Sequence, residues 1–308
     1  MSLPDVVERT PARPGPGPTP PALLRALDLR IGRRIQGLLP GEHPSPGVGE
    51  GIELAQVRPY TPGDDVRHLD WNVTARLREP HVRVHIPERA LTTWLVLDAS
   101  PSMTFGTADR RKADVAEGVA LAVGTVATRR SNRLGVLTFG GSLPRTLPPR
   151  QGRSGLLGLL LALRDDPPAD GGGATALGPQ LGRVSALART HGLVVVVSDF
   201  RGPRDWRRPL RALRRRHGVL AVEVQDPREQ ELPDVGDLAL VDPETGRFLR
   251  VDTSKRRLRE RFAAAAAEDR ADVAREMREA GVDHVVLSTR GDWLRPLADH
   301  LRRGSRSR

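Results

Sequence analysis

The sequence predicts an α/β fold in which a mostly parallel sheet is covered by helices on both faces. Short apolar runs recur through the second two thirds of the chain, and in Leu193–Val197 every residue is apolar and most are β-branched. Segments with apolar residues at helical spacing separate these runs. Fully apolar strands that alternate with helices are typical of parallel sheets, in which helices form the crossover connections.

The N-terminal segment, before Leu91, lacks this alternation. Residues 1–21 are rich in proline and are expected to form a disordered arm. Leu23–Leu39 has apolar residues at helical spacing with arginines opposite, which predicts an amphipathic helix. Gly51–Glu88 is expected to be irregular, apart from a turn at Pro62–Asp64 leading into a short helix and an alternating strand at His81–His85.

From Leu91 onward the chain alternates between strands and helices. The predicted strands are Leu91–Leu97, Leu134–Phe139, Leu193–Val197, Val219–Val224 and Val282–Leu287, with Leu143–Leu147 pairing back on the second. The predicted helices are Arg110–Arg130, Gly155–Leu163, Leu177–Ala188, Trp206–Arg216, Ser254–Ala280 and Trp293–Arg302. Asp237–Val241 and Arg247–Val251 flank an Asp-Pro-Glu-Thr-Gly turn and predict a hairpin.

The composition favours a cytoplasmic protein without membrane spans. The 308 residues include no cysteine, which fits a reducing compartment and excludes disulfides and thiolate metal sites. The longest near-apolar runs, Leu156–Leu163 and Leu193–Val197, are far shorter than the ~20 residues of a membrane-spanning helix. The N-terminus lacks the apolar core of a signal peptide.

The net charge of +11 raises the alternative of an arginine-driven nucleic-acid binder. Lys112 and Lys255 are the only lysines, so the charge comes almost entirely from arginine, a pattern that indicates codon-composition bias. Aromatic residues make up 3% of the chain and are not interleaved with the basic runs, as stacking platforms would be. Steeply salt-dependent retention of DNA or RNA without Mg²⁺ would distinguish this alternative.

Polar side chains follow two of the predicted strands at their carboxyl ends. Asp98, Ser100 and Ser102 come directly after the first strand, and Asp199 follows Leu193–Val197. Thr175 ends a glycine-rich loop between them. In open α/β sheets ligands bind beyond the carboxyl ends of the strands. Oxygen ligands of this kind suit a hard cation, Mg²⁺ first and Mn²⁺ or Ca²⁺ as alternatives.

Few of these ligands carry charge, so a bound metal would remain electron-poor and would seek an external carboxylate. That chemistry indicates binding of an acidic group on a partner protein, with no turnover. Two other interpretations stay open. Asp98 could simply end a buried strand as a polar residue, and the serines could cap a helix, although the predicted helix at Arg110 starts too far downstream for that.

The spacing Asp98-x-Ser100-x-Ser102, with distant Thr175 and Asp199, resembles the metal-ion-dependent adhesion site of von Willebrand factor A domains. The resemblance implies a von Willebrand factor A-like fold. It further implies that Ser100, Ser102 and Thr175 contact the metal, while Asp98 and Asp199 act directly or through water.

A narrower resemblance covers most of the chain. The segments Arg58–Trp71, Ala75-Arg76, Leu97–Met103 and Ser198–Phe200 are similar to the bacterial family named domain of unknown function 58. Members often occur beside a MoxR-type AAA+ ATPase, which implies an adaptor or accessory role rather than an enzyme. The chain departs from many relatives in lacking N-terminal membrane helices, and Ala176 stands where relatives often place Asp or Asn.

The segment from Arg58 to Arg76 is unusually rich in charge. Its candidate partner-docking residues are Arg58, Asp64, Asp65, Arg67, Asp70, Trp71 and Arg76. Two interpretations are open: the charges form an ion-pair network that fixes an irregular loop, or they form a docking surface for the partner ATPase.

These observations predict three regions: the arm at 1–21, the helix and charged segment at 22–89, and the von Willebrand factor A-like domain at 90–304. An enzymatic alternative is a haloacid-dehalogenase-like phosphatase with Asp98 as nucleophile. Such enzymes carry Asp-x-Asp after the strand, whereas here the third position of that motif is Ser100, so the general acid is missing. The chain also lacks a Gly-x-x-x-x-Gly-Lys-Ser/Thr motif, which argues against ATP hydrolysis.

Overall fold

A computed structural model describes residues 15–17, 54–85, 91–128, 132–141, 144–164 and 176–303. The chain divides into two compact units, residues 39–90 and the remainder. Most of the predicted arm at 1–21 and the predicted helix Leu23–Leu39 lie outside the described residues. The three predicted domain limits remain predictions.

The smaller unit is built on two antiparallel strands, β1 (Leu54–Pro59) and β2 (His81–His85). Between them lie a short 3-10 turn at Val66–His68, capped by Asp65, and helix α1 (Trp71–Leu77), capped by Asp70. Strand β2 has the predicted bounds. The short helix predicted after the Pro62–Asp64 turn is present as the 3-10 turn. Helix α1 and strand β1 were not predicted; β1 is paired with a strand more than twenty residues away and has no clear alternation of its own.

The larger unit is organised by a six-stranded sheet in the order β10-β7-β6-β3-β4-β5. Every neighbouring pair is parallel except β4 and β5, which are antiparallel. The strands are β3 (Thr92–Asp98), β4 (Arg133–Phe139), β5 (Thr146–Gln151), β6 (Gly192–Ser198), β7 (Gly218–Gln225) and β10 (Asp283–Ser288). A separate hairpin joins β8 (Asp237–Val241) to β9 (Phe248–Asp252).

Helices cover both faces of this sheet, so two apolar layers form its core. The described helices are α2 (Lys112–Ala127), α3 (Gly152–Arg164), α4 (Leu177–Leu187), α5 (Arg207–Arg214), α6 (Arg256–Glu279) and α7 (Leu294–Arg303). Along β3, Leu95 and Leu97 face the layer that contains α2, α3 and α7, while Trp94 and Val96 face α4, α5 and α6. The period-two alternation of the strand thus places its residues in opposite layers.

The predicted α/β class with a mostly parallel, helix-covered sheet is confirmed. Each strand and helix predicted after Leu91 is present within a few residues, and the hairpin forms at the predicted turn. The largest difference is at β5, which lies at Thr146–Gln151 instead of Leu143–Leu147. Strand β5 contains two prolines, which are tolerated because it is an edge strand.

The topology places a crevice between β3 and β6. From β3 the chain continues outward to β4 and β5, whereas from β6 it continues in the opposite direction to β7 and β10. At such a switch point the helices that follow the two strands lie on opposite faces, which leaves an opening at the carboxyl edge. Asp98 ends β3 and Asp199 directly follows β6, so both flank this opening.

Buried polar contacts fix the loops around the opening. Asp226, after β7, is fully buried and accepts hydrogen bonds from the Thr107 amide and hydroxyl, at 2.8 and 2.6 Å, and from the Thr289 hydroxyl, at 2.7 Å. On helix α6, Arg270 donates to the Asp199 carbonyl at 2.9 Å and pairs with the buried Glu223. These contacts position the loop after Ser102 and the chain at Asp199.

No helix among the described residues is long and apolar enough to cross a membrane.

His217 precedes β7 and makes the stability of the larger unit sensitive to acid. Its side chain is buried beside His191, and among the described residues its Nε2 has no hydrogen-bond partner. Burial, followed by repulsion from His191 and Arg216, lowers the pKa of His217 from 6.5 to about 4.

Between these two pKa values the unfolded chain binds a proton that the folded chain does not. The free energy of unfolding should therefore fall as pH drops from 6.5 toward 4, by up to about 3 kcal/mol from this residue. Urea unfolding across this range should show a shallower decline for His217→Gln than for wild type. An unchanged slope in His217→Gln would contradict the assignment.

Candidate metal centre

Backbone hydrogen bonds fix the turn after β3, and one of them is made to the Asp98 carboxylate. The Ser100 amide donates to Asp98 Oδ1 at 2.9 Å, and the Ala99 amide donates to the Phe139 carbonyl of β4 at 2.8 Å. Gly140 follows with a φ of +77°, and a Cβ there would lie 2.9 Å from the Ser100 amide nitrogen. Gly140 therefore lets β4 approach the serine turn closely enough to support it.

The hydroxyls of Ser100 and Ser102 lie close together. Ser100 is buried, and its Oγ lies 3.0 Å from the Oγ of Ser102. Ser100 stands at the N-cap of a 3-10 turn, Pro101–Thr104, but its side chain makes no capping hydrogen bond. The capping alternative therefore does not account for the Ser100 hydroxyl, which points toward Ser102 instead.

The ends of β3 and β6 are joined by a direct hydrogen bond. The Ser198 hydroxyl donates to Asp98 Oδ2 at 2.5 Å, and the Phe200 amide donates to the Ser198 Oγ at 3.1 Å. Asp199 Oδ1 accepts from the Arg201 amide at 3.1 Å. Phe200 has a φ of +53°, in the left-handed region that non-glycine residues rarely occupy. The turn is thereby tight enough to keep the Asp199 carboxylate beside Asp98.

The two buried carboxylates differ in their charge balance. Burial, and then repulsion by Asp199, raises the pKa of Asp98 to about 6, although hydrogen bonds from Ser100 and Ser198 oppose the rise. Burial also works to raise the pKa of Asp199, but the charge and hydrogen bond of Lys112 outweigh it and hold that pKa below its usual range. Asp199 therefore has a cationic partner, whereas the described contacts of Asp98 are all hydrogen bonds.

Lys112 was missed in the sequence analysis. Its side chain is completely buried at the start of α2, and its Nζ lies 2.6 Å from Asp199 Oδ2 and 2.7 Å from Glu229 Oε1. Arg201 Nε lies 3.3 Å from the same Glu229 oxygen. The available signal was that lysine occurs only twice in a chain of 49 basic residues. Because the other lysine, Lys255, is exposed, this signal alone does not identify Lys112.

The described residues of this centre fit a hard divalent cation. Asp98, Ser100, Ser102 and Asp199 converge and offer only oxygen atoms, and the uncompensated Asp98 would be stabilised by a positive charge. Across the described ranges, no three His, Cys, Asp or Glu side chains form a metal-binding group. Thr175 lies outside the described residues, so its ligand role remains a prediction.

The first half of the charged segment forms local contacts in the smaller unit. Arg58 pairs with both oxygens of Asp64, at 2.7 and 2.6 Å, and Asp64 also accepts from the Thr61 amide and hydroxyl. Asp65 accepts from the Arg67 amide at 2.9 Å and pairs with its Nε at 3.2 Å. These contacts correspond to the ion-pair interpretation of the segment.

The second half of the segment surrounds helix α1. Asp70 is buried, caps the helix and pairs with Arg83 of β2 at 2.8 Å. Trp71 is 71% exposed at the first position of the helix, and Arg76 is exposed near its end. The exposed side chains leave the docking interpretation a prediction, while Asp70 has a structural role.

A family model described as protein of unknown function DUF58 matches residues 56–272. The chain belongs to the DUF58 family. Its similar relatives include uncharacterized proteins of Mycobacterium tuberculosis and Mycobacterium bovis, each 44% identical over 275 residues, which cover 89% of this chain and 86% of the relative. An uncharacterized protein of Mycobacterium avium is 44% identical over 148 residues, or 48% of this chain and 87% of the relative.

Solved structures with detectable similarity include two from Bacteroides. An aerotolerance-related membrane protein from Bacteroides fragilis is 15% identical with a TM-score of 0.46, covering 70% of this chain and 98% of that one. The conserved hypothetical protein BatB from Bacteroides thetaiotaomicron is 16% identical with a TM-score of 0.43, covering 71% and 100%. The SpRpn10 VWA domain is 13% identical with a TM-score of 0.39, covering 70% and 95%.

Replacing Lys112 by methionine should destabilise the larger unit strongly. The substitution keeps the volume but leaves Asp199 and Glu229 buried with less compensation, and breaking a buried ion pair from one side costs about 3–5 kcal/mol. Urea unfolding at neutral pH measures the loss.

Lys255→Met is the matched control for this measurement. Lys255 is 70% exposed, and its ammonium lies 3.5 Å from Asp252, so its loss should cost at most about 1 kcal/mol. A loss of similar size in the two variants would contradict a special role for Lys112.

Proposed function

We propose that this chain is a non-enzymatic, metal-dependent protein-binding module. It acts as an accessory or adaptor factor for a MoxR-type AAA+ ATPase in the assembly or maturation of complexes. The observation that carries the proposal is the convergence of Asp98, Ser100, Ser102 and Asp199 at the switch point between β3 and β6. The ATPase partnership rests on the family resemblance.

The metal would be held mainly by the serine turn. Ser100, Ser102 and Thr175 would supply neutral oxygens, and Asp98 the nearest uncompensated charge. Both oxygens of Asp199 already accept hydrogen bonds, from Lys112 and from the Arg201 amide, so Asp199 would act through water. Mg²⁺ is the expected ion, with Mn²⁺ or Ca²⁺ as alternatives. When bound, the ion would offer an open position to a carboxylate of the partner.

The surroundings of Asp98 favour ligand binding over turnover. One oxygen accepts from the Ser100 amide and the other from the Ser198 hydroxyl, so both oxygens take part in hydrogen bonds. The position two residues later, where a phosphatase of the haloacid-dehalogenase type would carry its general acid, is Ser100. A role for Asp98 in binding a cation would use a remaining oxygen lone pair and requires no nearby acid.

The partner would present an acidic side chain to the metal and would contact a second surface on the smaller unit. Arg67, Trp71 and Arg76 are the exposed members of the docking residues, and Arg58, Asp64 and Asp65 maintain the loop before helix α1. We place this interaction in the cytoplasm and expect no nucleic acid in the complex.

Capture of the ATPase should depend on both metal and Asp98. Tagged wild-type protein, incubated with native lysate and Mg²⁺, should retain an AAA+ ATPase. Chelator or the Asp98→Asn substitution should lower the amount of captured ATPase by at least about tenfold, a factor equivalent to about 1.4 kcal/mol. Asn can still accept from the Ser100 amide and can donate to Ser198, so the variant should fold. Mass spectrometry identifies and quantifies the captured protein.

Asp272→Asn, a change on the surface of α6, is the matched control and should capture as wild type does. Equal capture of the ATPase by wild type and Asp98→Asn, with and without metal, would contradict a metal-dependent module. Hydrolysis of a generic phosphate ester by wild type and its loss in Asp98→Asn would instead establish the phosphatase alternative.

A further inference from the structure

The β8–β9 hairpin places a carboxylate of the chain itself at the candidate metal centre. Its turn is fixed by Asp242, which accepts from the Glu244 amide at 3.0 Å and from the Thr245 hydroxyl at 2.5 Å. Glu244 stands at the tip, and its Oε1 accepts from the Ser102 amide at 3.1 Å. The turn chemistry therefore presents Glu244 to the serine turn, 142 residues earlier in the chain.

The hairpin is attached firmly at its base and lightly elsewhere. At the base, buried Thr253 donates from its amide and hydroxyl to the Gly236 carbonyl, at 2.6 and 2.8 Å. The two strands form a sheet of their own, and Val241, Phe248 and Leu249 are each about half exposed, at 49%, 49% and 59%. An isolated two-stranded hairpin is marginally stable, so its tip can lift while its base stays in place.

A cavity of about 460 Å³ lies between the hairpin and the carboxyl edge of the sheet. Asp98, Ser100 and Asp199 are among the residues that line it, as are Phe139, Phe200 and Trp206. This volume is within the range of small-ligand sites and would hold one or two side chains. A lining that combines the candidate metal ligands with aromatic side chains matches a ligand that carries a carboxylate next to an apolar group.

We propose that this cavity receives a peptide segment of the partner in which an acidic residue follows apolar ones, and that Glu244 occupies the carboxylate position until the hairpin lifts. The hairpin's own Leu240-Val241-Asp242-Pro243-Glu244 has this composition, so it is an internal copy of the ligand. The partner's segment and the hairpin tip compete for one place, and the apolar walls make the cavity selective for the neighbours of the acidic residue. The proposal rests on the metal-dependent binding function given above.

The competition can be measured on the full-length chain with a defined probe. The probe is the acetylated, amidated hexapeptide Leu-Val-Asp-Pro-Glu-Thr, titrated calorimetrically in the presence of Mn²⁺. Glu244→Gln removes the internal carboxylate at constant size, and Asp237→Asn changes a charge at the hairpin base, where Asp237 pairs with Arg250 at 2.9 Å. Glu244→Gln should bind the probe at least about tenfold more tightly than Asp237→Asn, because the competent state is no longer occupied by the tip.

Hydrogen exchange gives a second readout that needs no ligand. Amides of residues 242–247 should exchange at least about threefold faster in Glu244→Ala than in Asp237→Asn, because alanine has no acceptor for the Ser102 amide. The proposal would be overturned if the two variants bound the probe with equal affinity or if neither bound it. It would also be overturned if a probe with Gln in place of Glu bound equally well, or if the amides exchanged at equal rates. If ATPase capture still requires Asp98, the proposed function survives that failure; if capture is independent of Asp98, both fail.

Discussion

The repulsion between the buried carboxylates of Asp98 and Asp199 is the constraint that organises the carboxyl edge of the sheet. Three elements respond to it: helix α2 supplies the Lys112 ammonium, β6 supplies the Ser198 hydroxyl, and the turn after β7 supplies Glu229 as a second acceptor for Lys112. The compensation is one-sided, because the positive charge lies against Asp199 and leaves Asp98 with hydrogen bonds alone. A cation bound next to Asp98 would neutralise the charge of that carboxylate without competing with Lys112 for Asp199.

Backbone geometry maintains this arrangement as much as side chains do. Gly140 at the end of β4 allows the close approach that supports the serine turn, and Phe200 adopts a left-handed φ to redirect the chain directly after Asp199. Positions of this kind persist where the surrounding structure over-determines them, and they concentrate at functional sites. The ends of three adjacent strands thereby act as one rigid support, which is the condition for a binding centre that loses little entropy on ligation.

The fold and the two aspartates of the centre, Asp98 and Asp199, could be predicted from the sequence, because each depends on a local pattern and one topological rule. Leu193–Val197 is unmistakably a buried strand, and the rule that ligands collect at the carboxyl ends of parallel strands brings Asp98 and Asp199 together. Lys112 and Glu244 were not accessible in the same way. Their contacts span 87 and 142 residues, and nothing local distinguishes a buried lysine or a hairpin glutamate from exposed ones. The turn of the hairpin was predictable from Asp242–Gly246, whereas the place where its tip would lie was not.

The contrast between the two lysines has a practical side. Lys112 is sealed from solvent, while Lys255 is 70% exposed. Amine-reactive reagents should therefore attach to the folded chain at a single lysine side chain, besides the terminal amine. Lys255 lies three residues beyond β9, close to the base of the hairpin. A dye or surface linker at this position would lie beside the base of the hairpin, so conventional labelling would give a site-specific reporter without introducing a cysteine.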